Sequence, residues 1–491
     1  MNQVLFVVDN PKKFPLHVPD FPIVSSKEYL TNSAYYGRKK IKVYNLCRSY
    51  RYQSTGYYVS LLASARGHKP LPSIEAIQDM KSLSISRVMT EDLDDLISTS
   101  LKSLHSPQFV LSVYFGRNMA KRYDRLCKQL FNLFPCPFLR AEFRKSKDEW
   151  TVHHIGPISI NDVPDEHLEF VQETAKEYFS KVYHWMPKRK VPLYDMAILI
   201  NREDNNPPSD EKAIKKFMKA ARKQGMGVET IDKDDFGRLS EFDGLFIRET
   251  TQVNHHTYRF SRFAEAEGLV VIDDPHSIRV CTNKVFLGEL LSLHQIPHPK
   301  TVIVHRDNRG IVPAEIGFPC ILKKPDSSFS QGVFKAENQA ELDELLNELL
   351  KDSDLIIAQE FLPTEFDWRV GILNRTPLYV CQYYMASKHW QIQKKDSDGN
   401  TRYGRVKTLA VEDAPKQVIK VALRAANLIG DGLYGVDLKE VDNKIYVIEI
   451  NDNPSIDTEI EDDYLKDQLY DEIMKVFKTR IEHKKGINTS L

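Results

Sequence analysis

The stretch 434–454, Tyr-Gly-Val-Asp-Leu-Lys-Glu-Val-Asp-Asn-Lys-Ile-Tyr-Val-Ile-Glu-Ile-Asn-Asp-Asn-Pro, constrains this 491-residue chain more than any other. Two apolar, β-branched runs flank Asp442-Asn443-Lys444, the pattern of a hairpin. Glu449 and Asn451 are two apart, so both side chains share one face of the second strand. Asp437 joins them in one register only. A two-residue loop at Asp442-Asn443 pairs Asp437 with Ile448 and sends its carboxylate to the opposite face. A three-residue loop through Lys444, with an αL residue and a bulge, pairs Asp437 with Glu449. In that register two carboxylates and an amide oxygen converge as hard oxygen ligands suited to Mg2+. Otherwise the hairpin is amphipathic, with a solvated acidic face.

The length points to roughly two to four domains. At 42% hydrophobic and 28% charged, the composition is that of an ordinary globular chain. Lys+Arg and Asp+Glu both total 68, which argues against a polyanion-binding surface over the whole molecule, and so against nucleic acid as a partner. The six cysteines (Cys47, Cys127, Cys136, Cys281, Cys320, Cys381) are scattered without a C-x-x-C pair, so buried thiols in a reducing cytosol are expected rather than a zinc site or a disulfide framework. The first ten residues lack the basic start and long apolar core of a secretion signal. No window reaches the ~20 apolar residues of a membrane span. A cytoplasmic protein without a membrane partner is the expectation.

Along the chain, residues 3–8 read as a buried parallel strand ended by Asp9-Asn10-Pro11. Residues 42–46 form a second strand. The loop after it carries Arg48, Tyr50, Arg51, Tyr52 and Ser54, and helical spacing runs from Gly56 until Gly67-His68-Lys69-Pro70 stops it. Residues 166–184 are amphipathic, and Pro187-Lys-Arg-Lys190 reads as a linker. A small doubly wound domain follows: a strand at 196–200, a helix over about 210–224, and strands at 228–231 and 243–249. Its last loop, 248–258, packs polar and charged groups after a buried strand, whereas the loop carrying Arg48 and Arg51 stands at the carboxyl end of a strand, where open α/β sheets bind ligands. Asp273-Asp-Pro275 marks a boundary. Beyond it come strands at 301–304 and 320–324, a Ser-rich loop over 325–332, a helix over 339–350 with Leu342, Leu345, Leu346 and Leu349 on one face, and strands at 356–362 and 367–373. Successive strand residues face opposite sides, so only one of Lys323 and Lys324 can reach a ligand there.

Taken together, Lys284, Ile321-Leu-Lys-Lys-Pro325, Gln331-Gly-Val333, Gln359-Glu-Phe-Leu362, Asp367-x-Arg369, Gly435-Val-Asp437 and Glu449-Ile-Asn-Asp-Asn-Pro454 follow the order and spacing of an ATP-grasp ligase. Within that fold the chain resembles the RimK-like glutamate ligases over about residues 190–478. The run Asn45-Leu-Cys-Arg-Ser-Tyr-Arg-Tyr-Gln-Ser-Thr-Gly-Tyr-Tyr-Val-Ser-Leu-Leu62 resembles the extra N-terminal domain of one RimK-like subgroup. The resemblance implies α/β and α+β architecture: an N-terminal α/β domain (1–190), a small doubly wound pre-ATP-grasp domain (191–275), an ATP-grasp domain of two α+β subdomains clasping ATP (276–480), and a tail (481–491).

The resemblance also implies residue roles. Lys284 and Lys324, or Lys323 in place of Lys324, contact ATP phosphates. Glu360 accepts from the adenine amino group, beside Gln359, with Phe361 and Leu362 supplying backbone contacts. Asp367 sits at a nucleotide-binding acid position, and Arg369 where an arginine stabilises the transferring phosphoryl group. Asp437, Glu449 and Asn451 fall on the positions of Mg2+ ligands, with Mn2+ as a substitute ion. Arg48, Arg51, Arg248, His255, Tyr258 and Arg405 are candidates for binding an acidic substrate.

Two departures from the family pattern stand out. The phosphate-covering loop keeps only Gly332 among serines, and residues 390–393 stand where the family has an arginine and an asparagine. Gln391 cannot supply that charge; Lys388, Arg402 or Arg405 are the replacements at hand. The implied activity is ATP-dependent joining of a carboxylate, from an amino acid, a peptide or a protein, to an amine through an acyl phosphate. The competing expectations are an ATP-binding regulatory protein that has lost turnover and a phosphotransferase on the same fold. Oligomeric state stays open, although related ligases often form dimers or tetramers.

Overall fold

Runs of β-branched and aromatic residues become strands, and the 3.6-residue apolar stripes become helices, in the computed structural model of the chain. It describes residues 3–16, 21–36, 41–90, 93–146, 149–183, 192–204, 206–326, 332–386, 391–395 and 401–486. Two units separate: Met1–Asp195 with Asp234–Phe242, and Met196–Lys233 with Asp243–Leu491.

The first unit contains a parallel sheet in the order Ile23–Ser25, Gln3–Val8, Ile41–Asn45, Lys69–Leu71. The expected strand–loop–helix follows, with helix Thr55–Ala65 capped by Ser54 Oγ, which accepts from the Tyr57 N–H. Gly56 is required by close approach: a Cβ there would lie 2.4 Å from the Ser49 carbonyl oxygen. An antiparallel sheet of Gln108–Tyr114, Phe138–Ser146 and Glu149–Pro157 was not anticipated. Its Leu111, Val113, Leu139 and Ala141 join Val4, Phe6 and Tyr44 in one core. The helix expected at 166–184 is Leu168–Tyr183, while the expected linker at 187–190 lies outside the described residues.

In the second unit the small sheet runs Val270–Ile272, Gly244–Ile247, Tyr194–Leu199, Met226–Ile231. Helix Glu211–Lys223 buries Ala213, Ile214, Phe217, Ala220 and Ala221 along one stripe. The C-terminal helix Asp467–Lys484 packs there through Tyr470 on Phe217 and Phe477 on Phe246. A second, antiparallel sheet is ordered Thr301–Val304, Ile356–Glu360, Cys320–Lys323, Val333–Ala336. Helix Gln339–Asp352 covers it with Leu342, Leu346, Leu349 and Leu350.

The third sheet of this unit has five antiparallel strands in the order Val406–Leu409, Thr376–Tyr384, Phe366–Leu373, Leu433–Val441, Lys444–Asn451. Trp368, Val370, Ile372, Val436 and Leu438 pack into a core with Val418, Val421, Leu287 and Leu291. Strand alternation therefore sends Asp367, Arg369, Asp437 and Lys439 to the other face. On the last strand the buried residues are Ile445, Val447 and Ile450, so the parity switches at Ile448. Among the described residues, no helix is long and apolar enough to cross a membrane.

Candidate active site

The hairpin turns on two residues, Asp442 and Asn443, both left-handed at φ 49° and 60°. Asp and Asn tolerate that conformation and suit a tight hairpin. The ladder then runs regularly from Val441–Lys444 to Leu438–Val447 and breaks, so that Asp437 faces Glu449 and Gly435 faces Asn451. Loop length and register, tied together in the sequence reading, are separate here. The short loop is present, and a bulge at Ile448 restores the register that brings the two carboxylates together. Gly435 also leaves room for Pro454, whose Cβ would sit 2.7 Å from any Cβ at that position.

Each carboxylate meets a cation. Arg369, directly opposite Asp437 on the neighbouring strand, donates from Nε to Oδ1 at 2.6 Å and from Nη2 to Oδ2 at 2.8 Å. Burial works against both charges: Asp437 more than offsets it for Arg369 and holds the guanidinium well above its usual pKa, whereas burial lifts the Asp437 carboxyl despite the opposing guanidinium. The guanidinium also lies over the Tyr383 ring, 4.8 Å from its centre. Asn451 Nδ2 donates to Asp437 Oδ2 at 3.2 Å. Lys284 Nζ stands 2.9 Å from Glu449 Oε1. Burial raises the Glu449 carboxyl, yet Lys284 and Lys323 outweigh it, and the net shift is downward. One step along the same face, Lys439 Nζ donates to Asp367 Oδ1 at 2.6 Å and to Thr364 Oγ1 at 2.7 Å.

Of the two strand-end lysines, Lys323 is the one that stands with these charges. Lys323 is 8% exposed. Burial draws its pKa down to about 8, Glu449 opposes that, and Lys284 and Lys439 add to it. Lys323 thus belongs among the charges just described. Lys324 takes the other side of the strand, with Nζ 3.1 Å from Asp352 at the end of the covering helix. The cause is strand alternation, with Leu322 and Cys320 directed into the helix-covered core. Among the described residues, four cations (Lys284, Lys323, Arg369, Lys439) stand among three carboxylates (Asp367, Asp437, Glu449).

Other expected residues are placed as follows. Glu360 Oε1 accepts from the Lys300 N–H at 2.7 Å. Gln359, opposite Ile321 and so on the Lys323 face, donates to Thr301 Oγ1 at 2.9 Å. Phe361 lies under Lys335 Nζ, 4.0 Å from the ring centre, and Leu362 is half-buried beyond it.

Arg248 corrects an expectation: it is 1% exposed. Its guanidinium donates to Ser209 Oγ, to Asn453 Oδ1 at 2.6 Å and to the carbonyls of Pro208 and Pro454. Buried and bound to these four partners, it ties down the chain leaving Asn451. Arg405 is exposed, over the Tyr384 ring at 4.6 Å. His255 and Tyr258 are half-buried at the start of helix His256–Ala266. Arg48 and Arg51 are exposed in the first unit, on the loop after Ile41–Asn45. Residues 327–331, Lys388 and the Arg402 side chain lie outside the described residues.

Sequence reasoning missed Lys439, although its spacing of two from Asp437 was a usable signal. It also missed Asp452, 4% exposed, which accepts from Thr251 Oγ1 at 2.8 Å and is lifted by burial to about 7. Glu461, 1% exposed and hydrogen-bonded by the Tyr383 hydroxyl, had no signal at all.

The donor set of Asp437, Glu449 and Asn451, all oxygen-bearing and on one face, fits a hard divalent ion. Two family models match: a RimK-like ATP-grasp N-terminal domain over residues 26–174 and a RimK-like ATP-grasp domain over residues 281–476. The chain is 28% identical over 259 residues to the α-aminoadipate–LysW ligase LysX of Saccharolobus solfataricus, covering 49% of this chain and 88% of that one. It is 24% identical over 224 residues (44% and 73%) to the tetrahydromethanopterin:α-L-glutamate ligase of Methanocaldococcus jannaschii. It is 27% identical over 164 residues (33% and 54%) to a D-alanine–D-alanine ligase of Neisseria meningitidis. The chain belongs to the RimK-like ATP-grasp family, and is an amide-forming ligase that uses ATP with a divalent metal ion.

Proposed function

We propose that this ligase phosphorylates the carboxylate of an acidic amino acid, or of a peptide ending in one, and joins it to an amine. The carboxylate oxygen bonds to the γ-phosphorus of ATP as the bond to the β-phosphate oxygen breaks, leaving an acyl phosphate and ADP. The amine then forms the C–N bond, phosphate departs and the amine loses a proton. Two relatives, whose names specify α-aminoadipate and glutamate, support an acidic amino acid as one of the two partners joined.

The single observation that carries the roles of individual residues is the lattice of four cations among three carboxylates. In this reading Lys284 and Lys323 release Glu449 and turn to the phosphates. Arg369 holds Asp437 in place beside the transferring group and opposes the upward pull of burial on its carboxyl. Asp437, Glu449 and Asn451 would hold Mg2+, which when bound neutralises the triphosphate charge. Charge balance favours this: the lattice carries one net positive charge, too little to compensate a triphosphate without a divalent ion. Glu360 and the backbone of Phe361 and Leu362 line the adenine side, with Glu360 exchanging Lys300 for the adenine amino group. The described cysteines are all buried and unbridged. The scheme asks for no covalent nucleophile, because positioning and charge cancellation carry the reaction.

The test is ADP release with ATP, Mg2+ and pools of amino acids and amines, followed by mass spectrometry of the product. An amide containing glutamate or α-aminoadipate is expected, and Glu449→Gln should abolish its formation in a chain that still folds. ADP release that needs no carboxylate, or a Glu449→Gln rate equal to that of the unaltered chain, contradicts the reading.

A further inference from the structure

The chain leaving strand Gly244–Ile247 enters helix His256–Ala266 through a loop whose polar groups the ligase scheme does not use. Glu249 in that loop is 2% exposed, and both its carboxylate oxygens lack a hydrogen bond. The His256 ring reaches it, with Nε2 2.8 Å from Oε1. Yet Nε2 is itself buried without a hydrogen bond, so the two atoms are close without the directionality of a donor–acceptor pair. His255 stacks beside His256 with ring centres 3.9 Å apart. One ligand atom from each of Glu249, His255 and His256 lies within 4.8 Å of the others. Close approach without hydrogen bonding is what ligand atoms show when they share an ion rather than a proton.

His255 Nδ1 lies 3.1 Å from Thr257 Oγ1, whose hydroxyl also reaches the Thr250 carbonyl at 3.4 Å. With Nδ1–H donating to Thr257, Nε2 carries the lone pair. A ligating histidine held through its other ring nitrogen is the usual arrangement around a metal ion.

We propose that Glu249, His255 and His256 form a second metal centre, for a divalent first-row transition ion of the zinc class. Two imidazoles and a carboxylate suit such an ion, with water completing its shell, whereas the oxygen donors at Asp437, Glu449 and Asn451 suit Mg2+. The two sites are connected. The Glu249 carbonyl accepts from Asn453 Nδ2 at 2.7 Å, two residues beyond Asn451. An ion at Glu249 would thus stiffen the loop that also abuts the catalytic hairpin. This inference stands on its own geometry and does not depend on the substrate assignment.

The full chain, stripped with a chelator and dialysed, is titrated with Zn2+ against a chromophoric chelator without nucleotide, and bound metal is counted by mass spectrometry. One tightly bound ion per chain is expected. That ion should be lost in Glu249→Gln and in His256→Asn and kept in Glu449→Gln. Thr257→Val should keep the stoichiometry but weaken affinity by about 10- to 100-fold. Tight binding that survives Glu249→Gln and His256→Asn, or its absence from the unaltered chain, overturns the proposal. Co2+ loading of the unaltered chain separates ligand loss from misfolding of the variants. Ligand-field bands of a nitrogen-coordinated ion are expected, and the spectrum of hydrated Co2+ contradicts the site.

Discussion

Asp437 faces Glu449 across the hairpin because Ile448 is left out of the ladder between them. The two-residue turn alone would have paired Asp437 with Ile448 and put the two acids on opposite faces of the sheet. The bulge shifts the end of the last strand by one residue, which sends Ile450 to the core and Glu449 and Asn451 to the face that carries Asp437 and Arg369. The candidate metal ligands thus depend on one unpaired residue that takes no part in the chemistry.

Lys323 and Lys324 are adjacent but not equivalent. Lys323→Met should weaken ATP binding by about 1.5–3 kcal/mol, roughly 10- to 100-fold, as expected for a lost charge-assisted hydrogen bond. Lys324→Met removes an exposed pair with Asp352 and should change affinity less than about threefold. Calorimetric titration of both variants with a non-hydrolysable ATP analogue checks this, and equal effects would mean that the strand does not present Lys323 to the nucleotide.

Arg248 is a structural residue. Arg248→Met leaves Asn453 Oδ1, Ser209 Oγ and the carbonyls of Pro208 and Pro454 without their buried donor. Each buried acceptor left unsatisfied costs about 1–3 kcal/mol, so a loss of stability of at least about 2 kcal/mol is expected, read from denaturant unfolding. A fully stable variant with weakened substrate binding would return Arg248 to the role of substrate ligand.

Burial lifts the Glu461 carboxyl from 4.5 to about 7. A folded-state pKa above the unfolded value means that the native chain binds the extra proton, so this contribution is complete below about pH 4.5 and is lost as pH rises through about 7. At one pKa unit per 1.36 kcal/mol its full size is at most about 3 kcal/mol. The unaltered chain should therefore lose stability between about pH 4.5 and pH 7 relative to Glu461→Gln, in which this dependence is absent. Parallel unfolding curves of the two chains across that range would show that Glu461 is ionised throughout.

Much of this was legible in the sequence, for identifiable reasons. The hairpin, the helix over 339–350 and the small doubly wound sheet follow from apolar periodicity, which is local. The choice between Lys323 and Lys324 is also local in principle. It needs to be known which strand face the covering helix buries, and only the tertiary packing of Leu322 against Leu342 and Leu346 settles that. Arg248 was misread because its position in a ligand-prone loop resembles that of a substrate clamp. Its four partners come from segments about 40 and 205 residues away, at separations that no local pattern reports. The antiparallel sheet of the first unit escaped for a similar reason: strand Gln108–Tyr114 does not alternate cleanly between buried and exposed positions.

The most direct test is a crystal structure of the full chain with Mg2+ and a non-hydrolysable ATP analogue. The account predicts an ion bound at about 2.1 Å by oxygens of Asp437, Glu449 and Asn451 and bridging the terminal phosphates, with Lys284 and Lys323 turned from Glu449 to the nucleotide. An ion held elsewhere, or a bound nucleotide with Lys284 still paired to Glu449 and Lys323 out of reach, would contradict it.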